Sequence, residues 1–200
     1  MDPVSAAVPQ NLQSIFVATL MEGRLMFFSL DLPIQPIEFD ESLETVKHKI
    51  NVKYIGDILL HRNPIDSMMV DPKTYLCAAS SKEEGLVVVI ETKNIAKVSY
   101  LDEVSVEGSI VDVHIANKNL LILSTTPGCD DSYGDLITLI KIDLKKKTLT
   151  VANVFNLTTP CSGLVMSENG KYFFSMMLTN KHLGKFPLSE DQSCNEILQR

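Results

Sequence analysis

The chain has no tryptophan and only four cysteines, and no two of those cysteines form a C-x-x-C pair. Cys77, Cys129, Cys161 and Cys194 are scattered along the sequence, which excludes the usual zinc-finger and dithiol spacings. Cys77 alternates with apolar neighbours and reads as a small core hydrophobe. A reducing, cytoplasmic setting follows as the expectation. Basic residues are also in deficit: 18 Lys and Arg stand against 25 Asp and Glu, a net charge of -7. With a pI near 5.1 and no basic stripe, nucleic acid is not expected as a partner, because phosphate binding relies on clustered Lys and Arg. The same charge argues against docking on anionic membranes. No apolar run reaches the roughly 18 residues that a spanning helix needs, so membrane insertion is not expected either. Met1-Asp-Pro-Val-Ser5 lacks the basic start of a secretory signal, which leaves Asn156-Leu-Thr158 as a chance sequon.

Catalytic signatures are missing too. There is no G-x-S-x-G elbow, no Gly-rich phosphate loop and no H-E-x-x-H. The expectation is therefore a protein without enzymatic activity and without a cofactor, and no catalytic, cofactor-binding or metal residue is assigned.

What is present is a globular composition, 45% hydrophobic and 22% charged, and an internal repeat. Pro64-Ile65 leads into an apolar strand ending at Val70, Asp71-Pro72 turns the chain, and Tyr75 to Ser80 reads as a second strand. Gly85 turns it again before Leu86-Val-Val-Val-Ile90. The order returns as Ile110 to Ile115, a polar turn at Asn117-Lys-Asn119, Leu120 to Ser124 and Leu136 to Ile140. It returns once more as Leu164-Val-Met166, Ser167-Glu-Asn-Gly170 and Lys171 to Ser175. The anchors Ile65, Ile110 and Ser162 are 45 and 52 residues apart. Short strands repeating every 40–50 residues or so are the signature of β-propeller blades. The fold expectation is all-β, with four-stranded antiparallel blades in an incomplete ring, since propellers close with about 4–8 blades.

The blades fall at about 14–60 (partial), 61–106, 107–158 and 159–186 (partial). Residues 1–13 read as a flexible N-terminus and 187–200 as a polar tail. In the first unit, Ile15 to Leu20 and Leu25 to Leu30 make a hairpin that resembles the second and third strands of a blade lacking its first. Residues 33–56 are irregular, with Pro33 and Pro36 opposing a central strand. In the clearest blade the strands are expected near 65–70, 75–80, 86–91 and 96–101. The next uses 110–115, 119–124, 135–143 and 148–154. The last has a poor third strand, because Asn180 to Pro187 contains a proline and no apolar run. Open edges in such an array favour self-association.

His61 to Glu91 resembles a divergent WD-repeat. His61 stands at that family's entrance His, Pro64-Ile65 at its apolar pair, Asp71-Pro72 at its first turn and Leu76 to Ser80 at its second strand. Gly85 falls at the Asp-Gly turn and Ile90-Glu91 at the Trp-Asp ending. Ser167-Glu-Asn-Gly-Lys-Tyr172 matches the family turn more closely. Without tryptophan, no unit carries the family's full Trp-Asp ending, so its His, Ser or Thr, Asp and Trp network cannot be assembled in full. In style the repeats are similar to the cilia and flagella-associated WD-repeat proteins. The resemblance implies a non-catalytic protein-binding scaffold in a larger intracellular assembly such as the ciliary axoneme, with specificity carried by loops such as 125–135. Two other readings stand beside it: a shortened form of a longer propeller without activity of its own, and an enzyme on a propeller scaffold.

Other chemistry-bearing residues have plainer readings. Asp130, Asp131 and Asp135 are hard oxygen ligands that could suit calcium, but their spacing is not that of a calcium loop; an exposed, solvated hairpin loop is expected. His48, His61, His114 and His182 show no metal spacing, and His114 lies in an alternating strand pattern. Ser162-Gly163 beside Cys161 reads as a blade entrance. Met68-Met69, Leu25-Met-Phe-Phe28 and Tyr172 to Met177 are expected mostly to fill the core between blades.

Overall fold

The structure is a computed structural model that describes residues 3–7, 14–19, 23–31, 51–59, 65–71, 73–82, 85–93, 98–126, 133–167, 170–178 and 182–188. Among these residues every regular element is a β-strand. Strands β1 (Pro3–Ala7), β2 (Ser14–Thr19), β3 (Arg24–Asp31) and β4 (Asn51–Leu59) form one sheet, in that spatial order. A second sheet follows with β5 (Ser67–Asp71), β6 (Leu76–Ser81), β7 (Leu86–Glu91) and β8 (Ser99–Ser105), again in chain order. The third sheet holds β9 (Ile110–Ala116), β10 (Asn119–Ser124), β11 (Gly134–Asp143), β12 (Thr148–Met166), β13 (Tyr172–Met177) and β14 (His182–Pro187).

All pairs are antiparallel, as short connections require. The 19-residue β12 explains the six-stranded sheet. Its first part pairs with β11, from Thr148 opposite Asp143 to Asn156 opposite Leu136. Its last part pairs with β13, from Cys161 opposite Met177 to Met166 opposite Phe173. One strand thus closes the third blade and opens the fourth.

The turns are set by local chemistry. Asn117 and Lys118, with φ of 51° and 63°, form the two-residue link between β9 and β10, where Asn119 faces Ala116. Positive φ at both central positions matches strand twist, and Asn tolerates it well. Gly108 has φ of 81°, and a Cβ there would lie 1.6 Å from the Thr125 carbonyl oxygen. Only glycine fits that crossing.

Three apolar seams hold the four blades together. Leu25 and Phe27 of the first blade meet Cys77, Val88 and Ile90 of the second. The second blade's other face, with Leu76, Val87 and Val89, meets Ile115, Leu120 and Ile122 of the third. The third blade's far face, with Leu121, Leu123 and Ile137, meets Leu164, Phe173 and Phe186 of the fourth. Each fully buried side chain of this size stabilises by about 1.5–3 kcal/mol. Strands β1, β5, β9 and the end of β12 are neighbours in a row, so they form the inner edge of the array.

The all-β, bladed fold expected from the repeat is what the structure shows. Four local expectations are corrected. Residues 3–7 lie not in a flexible lead-in but in β1, paired with β2 from Pro3–Thr19 to Ala7–Phe16. The first blade therefore has its first strand; five residues are too short for periodicity to reveal. Part of the irregular 33–56 region is strand β4, whose charged and polar residues fit an outer strand with both faces partly wet. In the last unit, His182–Pro187 is a strand paired along its whole length with β13. Its core contribution is one aromatic, Phe186, whose ring stacks on Phe173 with centroids 4.8 Å apart. Gly184 leaves room for that ring, since a Cβ there would come within 2.6 Å of it. A proline is tolerated at the end of an edge strand, where no ladder N–H is needed. Finally, the fourth strand of the second blade is shifted to Ser99–Ser105.

Candidate functional site

The inner strands β5, β9 and β12 end side by side, and their following turns surround a depression of about 170 Å³. Met69, Ile115 and Met166 give it an apolar lining, while Asp71, Lys73, His114, Asn117 and Ser167 supply polar groups. Three blades thus contribute to one site.

Its frame is built from carboxylates that bridge blades. Asp71, only 5% exposed, accepts hydrogen bonds from the Lys73 amide (3.0 Å) and the Thr74 hydroxyl (2.6 Å), which fold its own turn. It also accepts the Asn117 amide of the next blade at 3.0 Å. Asp112 accepts the Leu164 amide of the fourth blade at 2.7 Å. On the outer strands, Asp102 accepts the Leu149 amide at 2.8 Å. Each link joins residues 46 to 52 positions apart, the period of the repeat. Hydrogen bonds to charged groups contribute about 1.5–3 kcal/mol each when shielded from water, so these carboxylates hold one blade against the next. The fourth blade's turn is held by Ser167, whose Oγ donates to the Tyr172 carbonyl oxygen (2.9 Å) and accepts its amide (3.0 Å). Gly170, at φ of 66°, brings that turn close to Asn117 and Asn119.

His114 is the titratable side chain most affected by this setting. Burial pushes its pKa below the usual value, although nearby Asp112 and Asp71 pull the other way. At neutral pH the imidazole is therefore uncharged, with one nitrogen to donate and one to accept. The sequence pattern left His114 between solvent and a blade interface; the structure puts it half-buried in the depression.

The remaining candidates are placed as follows. Asp135 closes the base of its loop by accepting the amide (2.7 Å) and hydroxyl (3.0 Å) of Thr126; Asp130 and Asp131 lie outside the described residues. His48 and His61 also lie outside them, and His182 is placed by its backbone in β14. Cys77 and Cys161 are buried free thiols, and burial pushes the Cys77 pKa up to about 12. Cys129 and Cys194 are outside the described residues. Among the described residues no group of three His, Cys, Asp or Glu is placed to hold a metal ion. No helix there is long and apolar enough to cross a membrane. Alternation splits the Met and aromatic clusters: Leu25, Phe27, Phe173 and Met177 are buried, whereas Met176 is 47% exposed. The bridging carboxylates were missed. Their signal was an aspartate inside or ending an apolar strand, Val111-Asp-Val113 and Met69-Val-Asp71, where a solvated charge is out of place.

No protein-family model matches the chain, and no curated protein matches it significantly. Solved structures do. A Bacteroides uniformis protein with a provisional 6-phosphogluconolactonase name is 12% identical, with a TM-score of 0.71 over 97% of this chain and 53% of its own. The Cps50 (Swd1) β-propeller domain of Myceliophteria thermophila is 5% identical, with a TM-score of 0.66 over 94% of this chain and 54% of its own. Sqt1 of Chaetomium thermophilum, solved bound to the N-terminus of ribosomal protein L10, is 13% identical, with a TM-score of 0.63 over 94% and 47%. At such identities the likeness is one of fold, and the fold is that of a β-propeller. The chain spans about half the length of the propellers it matches.

Proposed function

We propose that this chain is a non-catalytic scaffold that holds a segment of another protein at the depression where the inner strands end. One observation carries the reading: three rigid blades converge there on a small site with an apolar floor and a polar rim. Its volume of about 170 Å³ is below the roughly 300–1,000 Å³ of sites for drug-sized ligands. It suits one side chain of a peptide lying across the blade ends. Met69 and Met166 adapt to the shape of such a side chain, and Asp71 with Asp112 favours a basic or polar neighbour. Sqt1, a propeller of similar shape, was solved with a peptide segment bound.

The setting belongs to the same proposal: a reducing intracellular assembly, of which an axonemal complex is one. The buried thiols Cys77 and Cys161 fit it. Affinity purification of the tagged chain, followed by mapping of retained proteins to a peptide, tests the reading. Met69→Glu with His114→Ala should weaken that peptide at least about tenfold, which is roughly 1.4 kcal/mol, with the fold retained. Unchanged binding in the double variant would refute the site.

A second reading, an enzyme on the same scaffold, draws on neutral His114, which is a suitable general base. The carboxylates beside it oppose a phosphorylated substrate. Lactone hydrolysis that disappears in His114→Ala would favour it over the scaffold.

A further inference from the structure

The two ends of the blade array carry matching, uncovered apolar faces. In the fourth blade, Phe173, Met177 and Phe186 point to the third blade. The opposite face presents Val165, Met176 and Leu183, which are 59%, 47% and 60% exposed. Val165 lies opposite Phe174 and Met176 opposite Leu183, so the three strands make one patch. In the first blade, Leu25 and Phe27 point to the second. Its opposite face carries Met26 and Phe28 with Val52, Tyr54 and Leu59, the last three 56%, 52% and 59% exposed. Phe28 faces Tyr54 across the strands, their rings edge to face at 5.7 Å. Contiguous exposed apolar surface of this kind marks an interaction site.

The structure itself shows what covers such a face elsewhere. At each of the three internal seams the face of one blade is covered by the next blade. These end faces are the continuation of that series, one at each end. The described strands amount to about half of a solved propeller, 53% of the Bacteroides uniformis chain. Two sets of them have the length of one.

We propose that a second copy of this chain covers both faces: the fourth blade of each copy packs on the first blade of the other, and two copies close one ring. Such head-to-tail contacts close when the rotation per copy divides the circle, and a half ring turns by about half a circle. The contact is between sheet faces, as at the internal seams, rather than by hydrogen bonding along the edges of β4 and β14. It is independent of the peptide site, which lies on inner strands of a single copy.

Light scattering on the purified chain tests this, with circular dichroism and cooperative unfolding as the check on folding. The chain alone should have the mass of two copies. Tyr54→Glu and Leu183→Glu each disturb both contacts of a homodimer, so each should reduce the mass to one copy with folding intact. Mixing the two variants leaves one undamaged contact, Leu183 side of the first against Tyr54 side of the second, and should restore a two-copy mass. Val165→Ser offers a milder lesion if a charge impairs folding, and should raise the dissociation constant several-fold. A folded single copy at micromolar concentration would overturn the proposal. So would a dimer that survives either charge variant alone, as expected of edge pairing or of a contact between identical faces. Binding of a different protein on these faces in place of self-association would overturn it too.

Discussion

The second blade and the fourth are built from strands of similar length, yet they bury their residues differently. In the second, β6 (LCAASS) is buried at every position and β7 (LVVVIE) at all but the last. In the fourth, β13 (YFFSMM) alternates, with Phe173, Ser175 and Met177 in and the residues between them partly or fully exposed. The cause is neighbours: the second blade has one on each face, the fourth has one on a single face. A continuous small-and-apolar strand therefore reports two covered faces, and an alternating one reports one. The fourth blade departs from the rule in one respect: its open face is still rich in apolar side chains, and that departure points to a missing neighbour.

The sharpest test of the contrast is a glycine pair. Gly108→Ala, where the new Cβ would collide with the Thr125 carbonyl at positive φ, should cost about 3 kcal/mol or more, combining strain with displacement of the seam. Gly163→Ala, where the nearest atom is the Asp112 carboxylate at 3.4 Å, should cost far less. Urea midpoints of the two variants measure the difference; equal losses would show that the second and third blades are not the rigid centre.

Truncations come next. Ile122→Ala in β10, a site with no exposure, should lose about 2–5 kcal/mol. Met176→Ala on the open face should lose less than about 1 kcal/mol in variants held as single copies. Denaturant unfolding of both in one background decides whether the open face contributes to the folding of one chain.

A smaller effect is expected at the carboxylate bridges. Asp112→Asn keeps the shape but weakens the acceptor for the Leu164 amide, and should cost about 1–2 kcal/mol. The loss should show first as faster amide exchange in β12 and β13, and not in β6. Uniform exchange across both would mean that the carboxylate does not act at this seam.

The smallest effect concerns pH. His114 has its pKa lowered by burial in the folded chain, so the folded state binds the proton less readily than the unfolded state. Above an unfolded pKa of about 6.5 both states are neutral and the group has no influence. As pH falls below that value only the unfolded chain gains the proton at first, and stability drops until the folded pKa is passed. The thermal midpoint should therefore decline between about pH 7 and 5, and His114→Gln should flatten that decline. An unchanged slope in the variant would remove His114 as the cause.

Much of the fold could be read from residue order. The recurrence of Ile65, Ile110 and the stretch from Ser162 reflects a unit that cannot bury its faces alone, and it pointed to blades stacked in series. The turn at Asn117-Lys118 was legible because few residues accept positive φ. The site was less legible: its lining comes from turns about fifty residues apart, and each contributing residue has an ordinary local reading. His114 in an alternating strand, Asp71 in a turn and Ser167 in another gave no common signal until three blades brought them together. Strand β14 was missed for a related reason, since its core role rests on Phe186 alone.

The sequence by itself determined the element type, the period and the order of strands within each blade, because alternation, turn chemistry and strand length are local. Tertiary structure decided what lies between the blades. The carriage of β12 across two blades, the reach of Asp71, Asp102 and Asp112 to amides one repeat away, and the uncovered faces at both ends are relations between distant segments. They depend on how sheets stack and twist against one another, which no local run of residues encodes.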